Sequence, residues 1–382
     1  MLDFLLFGLT LLGVAALHRH ALWIALGGLA AVSLLKAVQG FDFGTHLGHE
    51  WRLIANLAGL LVGFAILANH FERSHLPQWM TAVLPTGKLG ALLLLGLVFV
   101  LSGVLDNIAA ALVGATAARI LFAGRVHIGY LAAIVAAANA GGAGSVIGDT
   151  TTTMIWLAGG SPLQVLPAYV GAAAALAFFG WSASSQQTAL QPMVRADAGA
   201  THLDLAQLVP VVLMLIGAIA ANVLLDFPAL GVWGGLLLGA LVRTPDWSVV
   251  PGAAKGALFL LSLVLTASMM PVDQLPAASW PTALGLGVTS SFFDNIPLTK
   301  LAIAQNGYDW GFLAYAVGYG GSMLWFGSSA GVAVGGVFPE AKNALAWLRH
   351  GWHVLVGYFV GYFVMLIVLG WHPVQLPSAS GH

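Results

Sequence analysis

The sequence predicts an all-α polytopic membrane protein made of two inverted five-crossing repeats, each with a re-entrant hairpin and a glycine-broken helix. Three observations carry that expectation: a nearly uncharged apolar composition, polar residues set in the middle of apolar stretches, and an order of stretches that repeats once. Of 382 residues, 59% are hydrophobic and 7% charged, against about 25% charged in a soluble domain. The 13 Lys and Arg are balanced by 14 Asp and Glu, so there is no basic surplus for nucleic acid, which is excluded as a partner. The lack of cysteine excludes a disulfide framework, a cysteine-ligated metal and a thiol nucleophile.

A span needs about 20 mainly apolar residues to cross about 30 Å of hydrocarbon. Residues 2–17, 21–38 and 51–69 supply the first three. The opening MLDFLLFGLT has neither the basic region nor the small-residue cleavage site of a signal peptide and reads as a retained first span. Residues 89–122 are too long for one crossing and carry Asp106-Asn107 near their middle, which predicts a re-entrant hairpin. Residues 128–157 are apolar at both ends but hold NAGGAGSVIGDTTTT between them, where glycines and hydroxyls unwind a helix. A span at 162–182 closes the first repeat, 1–183, and the polar stretch 184–207 reads as a cytoplasmic linker. The second repeat, 208–382, follows the same order: spans at 208–225, 229–242 and 253–270, a hairpin around 281–305 tipped by Asp294-Asn295, a broken helix at 310–337, and a span at 351–371. SGVLDNIAAAL answers SSFFDNIPLTK, and Gly141-Gly142 with Gly148 answer Gly320-Gly321 with Gly327 at the same spacing of seven, which sets Asp149 opposite Ser328.

Five net crossings per repeat invert the second half, and the basic residues test that parity. Arg19, Arg73, Lys88, Arg119, Arg125, Arg195, Arg243, Lys255, Lys342 and Arg349 fall on one side; Lys36, Arg52 and Lys300 fall on the other. The richer side is expected to be cytoplasm, with both termini outside.

Non-helical backbone at membrane depth survives only when buried in protein or lining a wet cavity, because each unpaired group costs on the order of several kcal/mol in lipid. Paired hairpins and broken helices in inverted repeats are the construction of secondary transporters, with the site near the midplane. Asp106, Asp149 and Asp294 lie in the interrupted segments with no Arg beside them in sequence, and carboxylates without guanidinium partners attract cations. Asn107, Asn139, Thr150, Thr151, Thr152, Asn295, Thr299, Ser322, Ser328 and Ser329 add oxygen donors suited to a hard ion. One carboxylate that holds either a proton or a sodium ion yields antiport without further machinery. Structural roles stay open beside this reading: Thr150 and Thr153 as caps of the second half-helix, and Asp149 as a charge favoured by that helix's dipole. Lys300 either pairs with Asp294 or snorkels to the interface. The many Trp and His residues near span ends read as interface anchors. No cofactor is expected, and no enzyme: the His-Glu-x-x-His of a zinc protease is absent, and Val146 occupies the first glycine position of an aspartyl-protease Gly-x-Gly-Asp. The alternative on the same fold is a Na+- or H+-coupled symporter of a carboxylate or oxyanion, with the anion held by hydroxyls and half-helix N-termini.

The four segments around DNIAAAL, NAGGAGSVIGDTTTTMIW, SSFFDNIP and GYGGSMLWFGSSAGVAVGG resemble the NhaD-type sodium/proton antiporters of the ion transporter superfamily, which also holds citrate, dicarboxylate and arsenite carriers. The resemblance implies export of Na+ or Li+ in exchange for H+, a scaffold domain and a transport domain with elevator-like movement, and a homodimer in a bacterial inner membrane. It carries ion binding onto Asp106, Asn107, Asn139, Asp149, Thr151, Thr152, Ser290, Asn295 and Ser322, with Asp106 and Asp149 as the expected Na+ ligands. Asp294 and Ser328 join the candidate site on their positions. Trp325 and Lys300 depart from the family pattern. Dicarboxylate carriers of the superfamily have Ser-Asn-Thr at the hairpin tips, so Asp-Asn here favours a cation.

Overall fold

A computed structural model describes residues 2–17, 20–76, 79, 84–194 and 203–377, and all regular secondary structure among them is helical. In chain order the helices are α1 (Leu2–Ala16), α2 (Ala21–Val38), α3 (Phe43–Arg73), α4 (Gly87–Ser102), α5 (Asn107–Leu121), α6 (Ile128–Gly142), α7 (Thr150–Leu157), α8 (Pro162–Val165) and α9 (Ala168–Leu190). They continue as α10 (Leu208–Leu225), α11 (Pro228–Gly239), α12 (Val250–Ser268), α13 (Trp280–Ser290), α14 (Asn295–Gln305), α15 (Trp310–Gly320), α16 (Ser329–Val337), α17 (Ala344–His350) and α18 (Trp352–Val368). Among the described residues five helical stretches are long and apolar enough to cross a membrane, and α17 with α18 makes a sixth, bent by 61°. Shorter apolar helices, Gly87–Ser102, Asn107–Leu121 and Ile128–Gly142 among them, are interrupted where the sequence places its polar tips and glycines. The chain is a multi-pass membrane protein.

Two compact units divide the helices, and each draws on both halves of the sequence: α1–α3 with α10–α12, and α4–α9 with α13–α18. In the first unit, α10 and α11 pack through glycine, since a Cβ on Gly231 would meet the Gly217 carbonyl oxygen at 1.8 Å. Close backbone approach of this kind is how apolar helices associate without a hydrophobic drive. Asn56 and Trp233 fasten α3 to α11, through the Ala229 amide (3.1 Å) and the Gly59 carbonyl (3.1 Å). Lys36 and Asp3 join α2 to α1 at 2.8 Å with both side chains largely buried, so neither charge is left alone in the apolar interior.

In the second unit the centre is α6 and α15. Residues 129–142 and 310–320 are buried without interruption, the mark of helices apolar on every face. Each carries a glycine against a neighbouring backbone: a Cβ on Gly141 would meet the Phe99 carbonyl oxygen at 2.0 Å, and one on Gly320 the Gly287 carbonyl oxygen at 2.1 Å. α15 is clamped to α18 by Tyr315 and Tyr319, whose hydroxyls donate to the carbonyls of Tyr358 (3.0 Å) and Val354 (2.8 Å).

The polar stretch 184–207 differs from a free linker at its start. Helix α9 runs on to Leu190, with Ser184 and Gln187 fully buried. The Gln187 side chain accepts from the His127 amide (2.8 Å) and donates to the carbonyls of Arg125 (3.1 Å) and Gln191 (3.0 Å), so its polarity satisfies backbone where α6 begins. Arg19 and Arg195, both counted toward the cytoplasmic side, lie outside the described residues. Helix α17, not foreseen from the sequence, starts at Asn343, whose side chain accepts from the Ala346 amide.

Candidate functional site

Four breaks in the second unit each start a helix with a capping oxygen. Asp106 caps α5, Asp149 caps α7, Asp294 caps α14 and Ser328 caps α16. The physical cause is common: the first amides of a helix lack carbonyl partners, and a side-chain oxygen supplies one. The caps differ in how much of each oxygen remains for other work. Asp106 Oδ1 accepts from the amides of Ile108 (2.6 Å) and Ala109 (3.1 Å). Asp294 accepts from the Ile296 amide (3.1 Å) through Oδ1 and from the Ser329 hydroxyl (3.2 Å) through Oδ2.

Asp149 is where the segments converge. It is 1% exposed. Its Oδ1 accepts from the Thr151 amide (2.9 Å), while Asn295 donates to Oδ1 (3.2 Å) and Asn107 lies 3.4 Å from Oδ2. The same Asn107 amide donates to Asn139 Oδ1 (3.0 Å), and Asn139 in turn donates to the hydroxyls of Ser322 (2.9 Å) and Ser328 (3.1 Å). Thr299 closes the far side, its hydroxyl donating to the Asn295 carbonyl (2.9 Å) and lying 3.4 Å from Thr151 Oγ1. One carboxylate, three carboxamides and four hydroxyls thus form a continuous buried network, drawn from the breaks on both halves of the sequence.

Of the residues expected to form the site, the structure brings together Asn107, Asn139, Asp149, Thr151, Asn295, Ser322 and Ser328. The others are employed nearby. Thr152 donates to the carbonyls of Ser145 (2.6 Å) and Asp149 (2.8 Å), and Thr153 to those of Val146 (2.8 Å) and Asp149 (3.0 Å); both tie down the unwound segment before α7. Ser290 donates to the Val317 carbonyl (2.8 Å) and fastens α13 to α15. Asp106 and Asp294 serve as caps of α5 and α14. Lys300 is buried on α14, the helix that Asn295 begins. A residue without any polar atom also borders the carboxylate: a Cβ at Gly318 would lie 3.2 Å from Asp149 Oδ2. Its only trace in the sequence is its place two residues before Gly320, where the first half has Asn139 two residues before Gly141.

The arrangement suits a small cation or a proton. Each carboxamide carries an oxygen as well as an NH2, so rotation of its last torsion exchanges a donor for a ligand oxygen. A hard ion takes oxygen ligands of this kind.

No protein-family model matches the chain. Sodium/proton antiporter 1 of Arabidopsis thaliana is 30% identical over 286 residues, 63% of this chain and 49% of the relative. The Na(+)/H(+) antiporter NhaD of Alkalimonas amylolytica is 28% identical over 295 residues, 62% of this chain and 59% of the relative. The chain is related to the NhaD-type sodium/proton antiporters. It spans 49% and 59% of the lengths of these two NhaD-type relatives. A more extended match, 26% identical over 377 residues and 87% of the relative, is to an uncharacterized transporter of Mycobacterium bovis.

Proposed function

We propose that the chain is a secondary sodium/proton antiporter that exports Na+ or Li+ in exchange for H+, with Asp149 as the carboxylate for which the two ions compete. The observation that carries this reading is the meeting of Asp149 with Asn107, Asn139 and Asn295 at the helix breaks; similarity to sodium/proton antiporter 1 of Arabidopsis thaliana and to the Na(+)/H(+) antiporter NhaD of Alkalimonas amylolytica supports it. Charge neutrality does the coupling. A buried carboxylate is tolerated with a proton or with a cation beside it and is costly with neither. Loading one ion therefore requires release of the other.

In this reading Asn107 and Asn295 serve both states. With no cation present their NH2 groups face the carboxylate, and with sodium bound their oxygens turn inward. Asn139, Ser322 and Ser328 hold Asn107 in register, and Thr151 with Thr299 bounds the opposite side. Asp106 and Asp294 fix the hairpin tips that present the two Asn residues and add negative charge nearby. The hairpins read as re-entrant and the two halves as inverted repeats, a reading supported by the matched glycine contacts of Gly141 and Gly320. Alternating access is of the elevator type, with the unit that carries the site moving as a body. The setting is a bacterial inner membrane with both termini periplasmic, and the assembly a homodimer.

The test is proton flux in proteoliposomes holding a pH gradient, with Na+, Li+ and K+ added singly, and citrate, succinate and arsenite added separately. Collapse of the gradient by Na+ or Li+ alone is the expected result. A response only when an anion is present would overturn the antiporter and leave the anion symporter on the same fold.

A further inference from the structure

Glycines in α13 and α15 fall into two groups by what surrounds them. A Cβ on Gly287 or Gly320 would strike backbone, at 2.4 Å from the Ala316 carbonyl oxygen and 2.1 Å from the Gly287 carbonyl oxygen, so these two glycines let helices touch. Gly318 is different. A Cβ there would have two neighbours within 4 Å: Asp149 Oδ2 at 3.2 Å and the Ala143 Cβ at 3.6 Å. No backbone atom stands in its way, so packing between helices does not require a glycine at this place. What the missing side chain leaves open is space beside one carboxylate oxygen. On the other side of the network the equivalent place is filled by Asn139, which reaches Ser322 and Ser328. The two halves thus differ at this place: where one has Asn139 facing Ser328, the other has a glycine facing Asp149.

We propose that Gly318 determines which cation the site accepts, by leaving at Asp149 Oδ2 the room that sodium needs and that the smaller lithium does not. The inference rests on the antiporter reading with Asp149 as its carboxylate. Selection between hard cations is decided by cavity size and by how rigidly the oxygens are held. Both conditions are met here. Gly318 sits on a helix buried along its whole length, which cannot back away. Asp149 is fixed by its own capping bond to Thr151 and by Asn295, so a methyl group at 318 takes volume from the ion rather than displacing the carboxylate freely.

The experiment compares wild type with Gly318→Ala in proteoliposomes, reading half-saturating Na+ and Li+ from cation-driven proton flux. The expected result is a loss of apparent Na+ affinity of about tenfold with a Li+ change below about threefold, the range that overpacking by one methyl produces. Maximal flux with Li+ is retained. Thermal unfolding of the detergent-solubilised variant without either ion is expected close to wild type, because the helix-propensity gain of alanine offsets a tight contact with one carboxylate oxygen and no backbone is met. An unchanged ratio of Na+ to Li+ affinity overturns the role of Gly318. So does a melting temperature well below wild type, which would make the glycine a packing residue. Failure of the underlying reading looks different: the wild type itself would show no flux driven by either cation.

Discussion

Two elements of the second unit share one backbone plan and divide its work. In the first, α6 ends at Gly142, residues 143–149 are unwound, and Asp149 caps α7; in the second, α15 ends at Gly320, residues 321–328 are unwound, and Ser328 caps α16. The plan is common because a helix needs a capping oxygen wherever it restarts, and both Asp and Ser provide one. The side chains then diverge. One break holds a buried charge, while the other holds neutral hydroxyls that orient Asn139. The two breaks thus share a backbone plan and differ in the side chains set on it.

The largest expected effect comes from removing the charge that separates the two elements. Asp149→Asn keeps the cap acceptor and the volume, so the protein should insert and melt near wild type, while cation-driven proton flux falls at least about a hundredfold, the scale of losing a buried charge from a binding site. Ser328→Ala at the matching place removes a cap and one acceptor for Asn139, and should lower flux by less than about tenfold. Equal losses in the two variants would erase the distinction between a charged and a neutral break.

The backbone equivalence can be broken next. Gly141→Ala and Gly320→Ala each put a methyl against a carbonyl oxygen, at 2.0 Å and 2.1 Å, on helices with no room to move. Each should cost about 1–3 kcal/mol or more, read as a lower melting temperature in detergent. Gly96→Ala on α4, where a Cβ meets nothing within 4 Å, is the control and should leave stability unchanged or raise it by up to about 1 kcal/mol. Harm at only one of the two buried glycines would show that the halves pack differently.

How far the sequence revealed this follows from the kind of signal each residue leaves. The breaks are legible because Asp-Asn pairs and glycine clusters interrupt apolar runs, and the helices stop at Ser102, Gly142, Ser290 and Gly320, beside those interruptions. Asn107, Asn139, Asp149 and Asn295 are legible because polar groups at such depth need a reason. Asp106 and Asp294 carry the same signal as Asp149, and only the structure separates carboxylates committed to capping from the one that also meets Asn107 and Asn295. Gln187 misled in the opposite direction, since its side chain is buried and pairs with backbone inside the unit rather than with water. The place of Gly318 beside Asp149 leaves little trace, because a glycine among many glycines does not announce which neighbour it borders.

A smaller effect separates the two serines that precede Asp106 and Asp294 by four residues. Ser290 donates to the Val317 carbonyl at 2.8 Å, whereas the buried Ser102 hydroxyl has no partner among the described residues. Ser290→Ala should cost about 1 kcal/mol, the net worth of one hydrogen bond, and Ser102→Ala about nothing, because it removes a polar atom that gains nothing from burial. Melting temperatures of the two variants in one detergent decide it. A costly Ser102→Ala would reveal a bond to an ion or water in the first hairpin and bring that hairpin into the site.

The smallest effect belongs to a carboxylate in water, and it serves as the control for Asp149. Asp204 caps the short turn Leu205–Gln207 and receives both oxygens' bonds from Arg243, at 3.1 Å and 3.0 Å, on the surface of the first unit. The guanidinium holds the Asp204 carboxyl below the usual carboxylate range. A folded value below the unfolded one means the unfolded chain takes up the proton first, so this pair stabilises above the ordinary carboxylate pKa of about 3.9 and loses its contribution as pH falls through the lowered folded value. The melting-temperature difference between wild type and Asp204→Asn should therefore be small and flat from neutral pH down to that point, vanish below it, and shrink with added salt because both partners face solvent. Exchange by Asp204→Asn should equal wild type at every pH where Asp149→Asn is silent. A difference that grows on acidification, or a loss of exchange in Asp204→Asn, would mean that carboxylates matter here through the charge of the protein as a whole and not through the place of one of them.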